Sequence, residues 1–128
     1  LIQKYSMQDS CVITSFDYSA LQAVRSYDED IEVGYILSVA YGKFYEIDDV
    51  DFFSVNASFL TKRVVDAIHN SGKQVYAWTV NNDASIKNLT NKGVDNIITD
   101  KPVTAREVIY SRDTSETLIN MIKYVFNQ

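Results

Sequence analysis

The sequence predicts an α/β fold of about five consecutive βα units, and two observations predict it. Short β-prone runs begin near residues 11, 31, 50, 74 and 95, a recurrence of roughly twenty residues that suits one strand plus one helix. Between most of them lie polar-capped segments with apolar residues at helical spacing. Helix between strands makes the strands parallel and the crossovers right-handed.

Each element has a local reason. Leu1, Ile2 and Tyr5 stand at helical spacing, which reads as the last turn of a helix already under way and marks Leu1 as a cut. Residues 11–16 form the first strand, apolar enough for burial on both faces. Asp17 or Ser19 caps a helix with Leu21, Val24 and Tyr27 on one face. Residues 31–37 are the second strand. Residues 38–49 are irregular, with Gly42 as breaker and an acidic stretch after it. Residues 50–55 are the third strand. Thr61 opens a helix carrying Val64, Val65 and Ile68, and Gly72 ends it in the left-handed conformation. Residues 74–80 are the fourth strand. Asn82 or Asp83 caps a helix with Ile86 and Leu89, which Gly93 ends. Residues 94–99 are the fifth strand. Past Pro102 the pattern is helical: one short helix over 103–111, then a second opened by a capping-box pair, Asp113 and Glu116. That last helix bears a stripe of Leu118, Ile122, Val125 and Phe126. The organisation is thus βα units over 1–102 and a helical extension over 103–128.

Composition excludes several functions. A net charge of −5 suits neither nucleic acid nor an anionic membrane, so no nucleic-acid partner is expected. One cysteine cannot make an internal disulfide, and structural zinc needs several ligands. One histidine, His69, cannot supply a histidine acid–base pair or a multi-histidine metal site. It sits near a helix C-terminus, where a packing or surface role suits it. Cys11 reads as a small buried hydrophobe. Asp28-Glu29-Asp30 and Glu46-Ile47-Asp48 read as solvated connections. The sequons at Asn56 and Asn88 carry no functional reading. No apolar run approaches the roughly 20 residues of a membrane span, so the segment reads as soluble.

Five βα units fit a complete five-stranded doubly wound sheet, or the later part of an eight-stranded barrel, which takes about 250 residues. Periodicity does not choose between them. Sequence detail does. Val75-Tyr76-Ala77-Trp78-Thr79-Val80-Asn81 follows His69-Asn70-Ser71-Gly72-Lys73. Gly93-Val94-Asp95-Asn96-Ile97-Ile98-Thr99-Asp100-Lys101-Pro102 comes next, and Val12-Ile13-Thr14-Ser15-Phe16-Asp17 stands upstream. In this order they resemble the C-terminal half of the glycerophosphodiester phosphodiesterase family, over roughly residues 10 to 102. The segment between the second and fourth strands also resembles a Gram-positive subgroup whose barrel follows a membrane domain, which implies a membrane-associated parent.

The resemblance implies a (β/α)8 barrel that hydrolyses glycerophosphodiesters to glycerol 3-phosphate and an alcohol. In that family a His-Arg pair, a Glu-x-Asp pair, a His-Asp pair and a later Glu lie mainly in the first half of the barrel. The histidines do acid–base work, and the carboxylates hold calcium or magnesium. A hard cation with oxygen ligands neutralises charge building on phosphorus, while imidazoles move the protons. This chain has no His-Arg and no His-Asp. Its Glu46-Ile47-Asp48 lies just before the third strand, away from the family's position.

The expected role is therefore substrate-pocket wall, with catalytic residues and divalent cation held by the N-terminal half of the barrel and none bound by this segment alone. Trp78, near the end of a strand where barrel sites are built, is implied to face the glycerol moiety. Phe16 and Ser15 line the same mouth. Asp100 either reaches the site or bonds turn N–H groups while Pro102 opens the next helix. Asn56 is a weaker candidate of the same kind. The alternative is a non-catalytic α/β binding or self-assembly module. Either way the bare edges of the first and last strands need cover: the missing half, rearrangement to an open sheet, or a second copy, which the C-terminal stripe favours.

Overall fold

Five strands add to one another in chain order in the computed structural model, which describes residues 1–126. They are β1 (Val12–Ser15), β2 (Glu32–Leu37), β3 (Phe52–Asn56), β4 (Gln74–Trp78) and β5 (Asn96–Ile97), each parallel to its neighbour. Strand order separates the two readings of the sequence. A doubly wound sheet reverses direction at a switch point. This sheet runs β1-β2-β3-β4-β5 without reversal, so right-handed crossovers place every connection on one face. That is the winding of a barrel wall.

The helices on that face are α1 (Tyr18–Tyr27), α2 (Lys62–Asn70), α3 (Asp83–Lys92) and α4 (Pro102–Phe126). Asp17, Thr61 and Asn82 cap α1 to α3 by accepting from the N–H groups of Ser19, Val64 and Ser85. Gly93 ends α3 at φ 90°, where a side chain would be strained. Between β2 and β3 a short 3-10 turn (Phe44–Glu46) replaces a helix, and Ala40, Phe44, Tyr45 and Ile47 cover the core there. Glu46 pairs with Lys43, on the surface.

Strand alternation divides the side chains. Ile13, Val33, Phe53, Val55, Val75 and Ala77 join Leu21, Val65, Ile68, Ile86 and Leu89 in the core beneath the helices. Gly34, Phe52, Ser54, Tyr76 and Trp78 fall on the opposite, inner face. There Phe52 and Tyr76 stack with ring centroids 4.0 Å apart. Burial pushes the Tyr76 hydroxyl up in pKa, and the Glu32 carboxylate adds to it.

Two aspartates pin the N-terminal ends of the strands in the same way. Asp51 donates its N–H to the Val33 carbonyl (2.9 Å), and its carboxylate accepts from the Val33 N–H (2.7 Å) and Arg25 (2.5 Å). Asp95 does likewise with Val75 (2.9 and 2.8 Å), and its carboxylate meets His69 Nε2 at 2.8 Å. His69 and Arg25 thus hold equivalent structural posts, far from the C-terminal mouth.

The structure differs from the sequence reading at several points: β1 is partly exposed along its length and not buried on both faces, and β4 ends at Trp78, two residues before Val80. Residues 102–126 form one helix where two were expected. Asp113 is interior to it: Thr117 Oγ1 bonds back to the Asp113 carbonyl, and Arg112 pairs with Glu116 across the expected break. Neither Gly nor Pro interrupts the run. On this helix Leu118, Ile122 and Val125 are exposed, and the side chain of Phe126 lies outside the described residues. The fifth strand shrinks from 94–99 to Asn96–Ile97, because Val94 closes the α3 terminus on Leu89 and Asp95 serves as pin. The third strand begins at Phe52, since Asp51 is the other pin. At the start of the chain, Ser6 in the left-handed region and the bonds Met7 N–H to Ile2 O and Ser6 N–H to Gln3 O form a Schellman closure.

Both outer strands are open-edged, and a groove runs along each. One, of about 610 Å³, lies beside β1 and α1 and is lined by Leu1, Ile2, Ile13, Val24, Tyr27 and Ile31. The other, of about 380 Å³, lies between β5 and α4, against Val94, Ile97, Ala105, Ile109 and Tyr110.

Candidate functional site

The C-terminal ends of the strands bring two aromatic rings together. Phe16 follows β1 directly and Trp78 ends β4, yet their rings meet edge to face at 6.2 Å and 87°. β1 and β4 are separated by two strands, which in a flat sheet means about 14 Å. The rings meet because the sheet curls. The Trp78 indole N–H donates to the Ser54 carbonyl at 3.0 Å, which fixes the plane of the indole against β3. The Trp78–Thr79 peptide bond is cis. Trp78 is half-buried, while Phe16 is 61% exposed, so one ring is wall and the other rim.

The remaining candidates divide. Asn56 is the register partner of Trp78 and borders the same mouth. Its Oδ1 accepts the Ser58 N–H at 3.0 Å, so the carbonyl end is engaged in the turn that follows β3. Ser15 alternates with Phe16 and so falls on the other side of the strand. Its Oγ accepts the Asp17 N–H at 2.9 Å. The structure does not bring Ser15 to the aromatic pair. Asp17 in turn accepts from the Ser19 hydroxyl and N–H, which hold its carboxyl below the usual range.

Asp100 belongs to a clasp. Its carboxylate accepts from Asn81 Nδ2 (2.8 Å), and its N–H donates to Asn81 Oδ1 (2.9 Å). Thr99 Oγ1 donates to the same Asn81 oxygen (3.0 Å) and accepts from the Lys101 N–H (3.0 Å). Pro102 then begins α4. Asn81 thereby ties the loop after β4 to the loop after β5. Sequence reasoning passed over it as the last letter of the strand motif.

Acidic side chains are scattered. Among the described residues no three His, Cys, Asp or Glu side chains come together as metal ligands. Two carboxylates that follow strand ends are committed, Asp17 to a helix cap and Asp100 to Asn81.

A curled, singly wound parallel sheet with an aromatic mouth defines the class: part of a (β/α)8 barrel, open at two edges. The chain belongs to the Glycerophosphoryl diester phosphodiesterase family, whose pattern matches residues 2–104. It is 22% identical over 125 residues to a glycerophosphodiester phosphodiesterase of Caldanaerobacter subterraneus, covering 95% of this chain and 46% of that one. It is 25% identical over 112 residues to one from Bacillus altitudinis, covering 84% and 46%. Among solved structures it superposes on an Oleispira antarctica phosphodiesterase in complex with the product sn-glycerol-3-phosphate. There the TM-score is 0.69 at 28% identity, over 77% of this chain and 41% of that one. A glycerophosphodiester phosphodiesterase from Parabacteroides distasonis shares the fold at TM-score 0.78 and 18% identity, over 88% and 48%. The chain spans a little under half the length of the relatives it matches.

Proposed function

We propose that this chain forms the substrate wall of a barrel that hydrolyses glycerophosphodiesters to glycerol 3-phosphate and an alcohol. The observation that carries the reading is the Phe16–Trp78 pair at the C-terminal mouth. Two rings at right angles offer an apolar corner, suited to the C–H face of a glycerol unit. The Oleispira relative, crystallised with sn-glycerol-3-phosphate, supports that substrate class. Asn56 beside Trp78 keeps its amide nitrogen for a hydroxyl.

In this reading the imidazoles and the calcium- or magnesium-binding carboxylates come from further βα units that close the sheet between β5 and β1. The two edge grooves support it. Each lies beside an edge strand and its helix, where the next unit in a barrel would pack. The chain alone then binds but does not turn over substrate. No helix among the described residues is long and apolar enough to cross a membrane, so the parent's proposed membrane association would come from outside them.

The test uses the sole tryptophan as its own probe. Titration with sn-glycerol 3-phosphate should change Trp78 emission saturably, and the change should be lost in Phe16→Ala. Glycerophosphocholine with calcium or magnesium should not be turned over by the chain alone. Enzyme-like turnover by the isolated chain, or no emission change at all, would overturn the reading.

A further inference from the structure

The first half of α4 packs on the body through Ala105, Val108 and Ile109. From Leu118 onward no described side chain is buried. Leu118, Ile119, Met121, Ile122 and Val125 are each between 50% and 66% exposed. This stretch lies past residue 104, where the family match ends. We propose that Leu118, Ile119, Ile122 and Val125 are a self-association surface whose occupant is the same face of a second copy, packed antiparallel about a two-fold axis near residue 120.

The helix geometry supplies the face. At 3.6 residues per turn, Ser115, Leu118, Ile119, Ile122 and Val125 fall within about 120° of arc. Glu116 and Lys123 lie just past the Ile119 border of that arc. On the side toward α3, Arg112, Ser115, Glu116 and Ile119 border a groove with Lys87 and Asn91, and Leu118, Ile122 and Val125 lie outside it.

Size and charge select the partner and its direction. In the antiparallel arrangement Leu118 stands against the partner's Ile122, and small Ser115 receives the partner's Val125. Lys123 then lies across from the partner's Glu116, twice by symmetry. A parallel two-fold pairing would instead carry Lys123 and the partner's Glu116 to opposite flanks of the seam, so neither charge would meet its opposite. A lipid surface suits this face less well. Interfacial helices carry several Lys or Arg on the polar side, whereas Lys123 is the only basic residue after Arg112.

Analytical ultracentrifugation of the full chain at micromolar concentration tests this, with circular dichroism to confirm that each variant keeps its helix. The chain should sediment as a dimer. Ile122→Lys should raise the dimer dissociation constant by at least about tenfold. Glu116→Lys should weaken the dimer, and the double variant Glu116→Lys with Lys123→Glu should restore it, which only the antiparallel register predicts. Tyr27→Glu, in the groove beside β1, should leave the dimer intact. A monomer at every concentration, a dimer indifferent to Ile122→Lys, a dimer broken by Tyr27→Glu, or a monomer that sediments with phosphatidylcholine vesicles would each overturn the proposal. No readout involves substrate, so the outcome is independent of the glycerophosphodiester reading.

Discussion

The ring of Phe52 occupies the space that a side chain at residue 34 would need. A Cβ built on Gly34 would lie 2.1 to 2.6 Å from three carbons of that ring. The two residues are register partners on β2 and β3, and Phe52 is fully buried between Gly34 and Tyr76. Glycine is required at 34 by this close approach and not by a turn.

Gly34→Ala should therefore destabilise the fold by about 1–3 kcal/mol through overpacking. Phe52→Leu alone should also destabilise, by loss of the stacked ring. The double variant should be less destabilised than the sum of the two, because the smaller side chain makes room for the new methyl. Urea denaturation of the four proteins measures the coupling, and strict additivity would contradict the contact.

The indole hydrogen bond has its own signature. Trp78→Phe keeps an aromatic wall but loses the N–H donated to the Ser54 carbonyl. The expected loss is about 0.5–1.5 kcal/mol. Phe16→Ala removes a mostly exposed ring, so stability should change little while emission from Trp78 shifts to longer wavelength as water reaches the indole. Fluorescence and thermal melts on the same samples separate the two effects.

The Tyr18–Asp49 bond predicts a two-sided pH dependence. Tyr18 Oη donates to Asp49 at 2.8 Å. Tyr18, then Gln22, hold the Asp49 carboxyl below its ordinary pKa, and the Asp49 carboxylate pushes the Tyr18 hydroxyl above its own. A lowered carboxyl pKa gives stability that is present above the unfolded value, about 4, and is lost as pH falls through the folded one. A raised phenol pKa gives stability that is present below about 10 and is lost as pH rises through the folded value. The difference in Tm between the natural chain and Tyr18→Phe should be widest between those limits and shrink at both ends.

Asp51→Ala leaves the buried Val33 N–H and the Arg25 guanidinium without their shared acceptor. The expected loss is about 1–3 kcal/mol. Asp51→Asn should recover part of it, since the amide oxygen still accepts from Val33. Chemical denaturation ranks the three chains, and an Asn variant no better than Ala would argue against the pin.

The strand and helix rhythm was legible because its signals are local: Asp17, Thr61 and Asn82 cap, Gly72 and Gly93 stop, and apolar residues alternate between them. The end of the chain misled because Asp113 and Glu116, three apart, are as much at home inside a helix beside Arg112 as at its start. The mouth was legible only in part. Trp78 announces itself by its place near a strand end, but its contact with Phe16 depends on the curl of four strands, which no local pattern carries. Asn81 was missed for the same reason, since both loops that it ties must be in place before its role exists.

Asp51 and Asp95 each take both backbone groups of a valine, one with the main chain and one with the carboxylate. In effect a side chain impersonates a rung of the ladder. β5 is two residues long and could not fix its own alignment. Its register is written partly in the chemistry of Asp95. A slip of one residue would turn Ile97 from the core to the inner face, so Asp95 at one end of β5, with the Ile98 backbone bonds and the Asn81 clasp at the other, keeps this edge strand facing the right way. The same economy keeps that edge brief, and a brief edge gives a stray strand from another molecule little to copy.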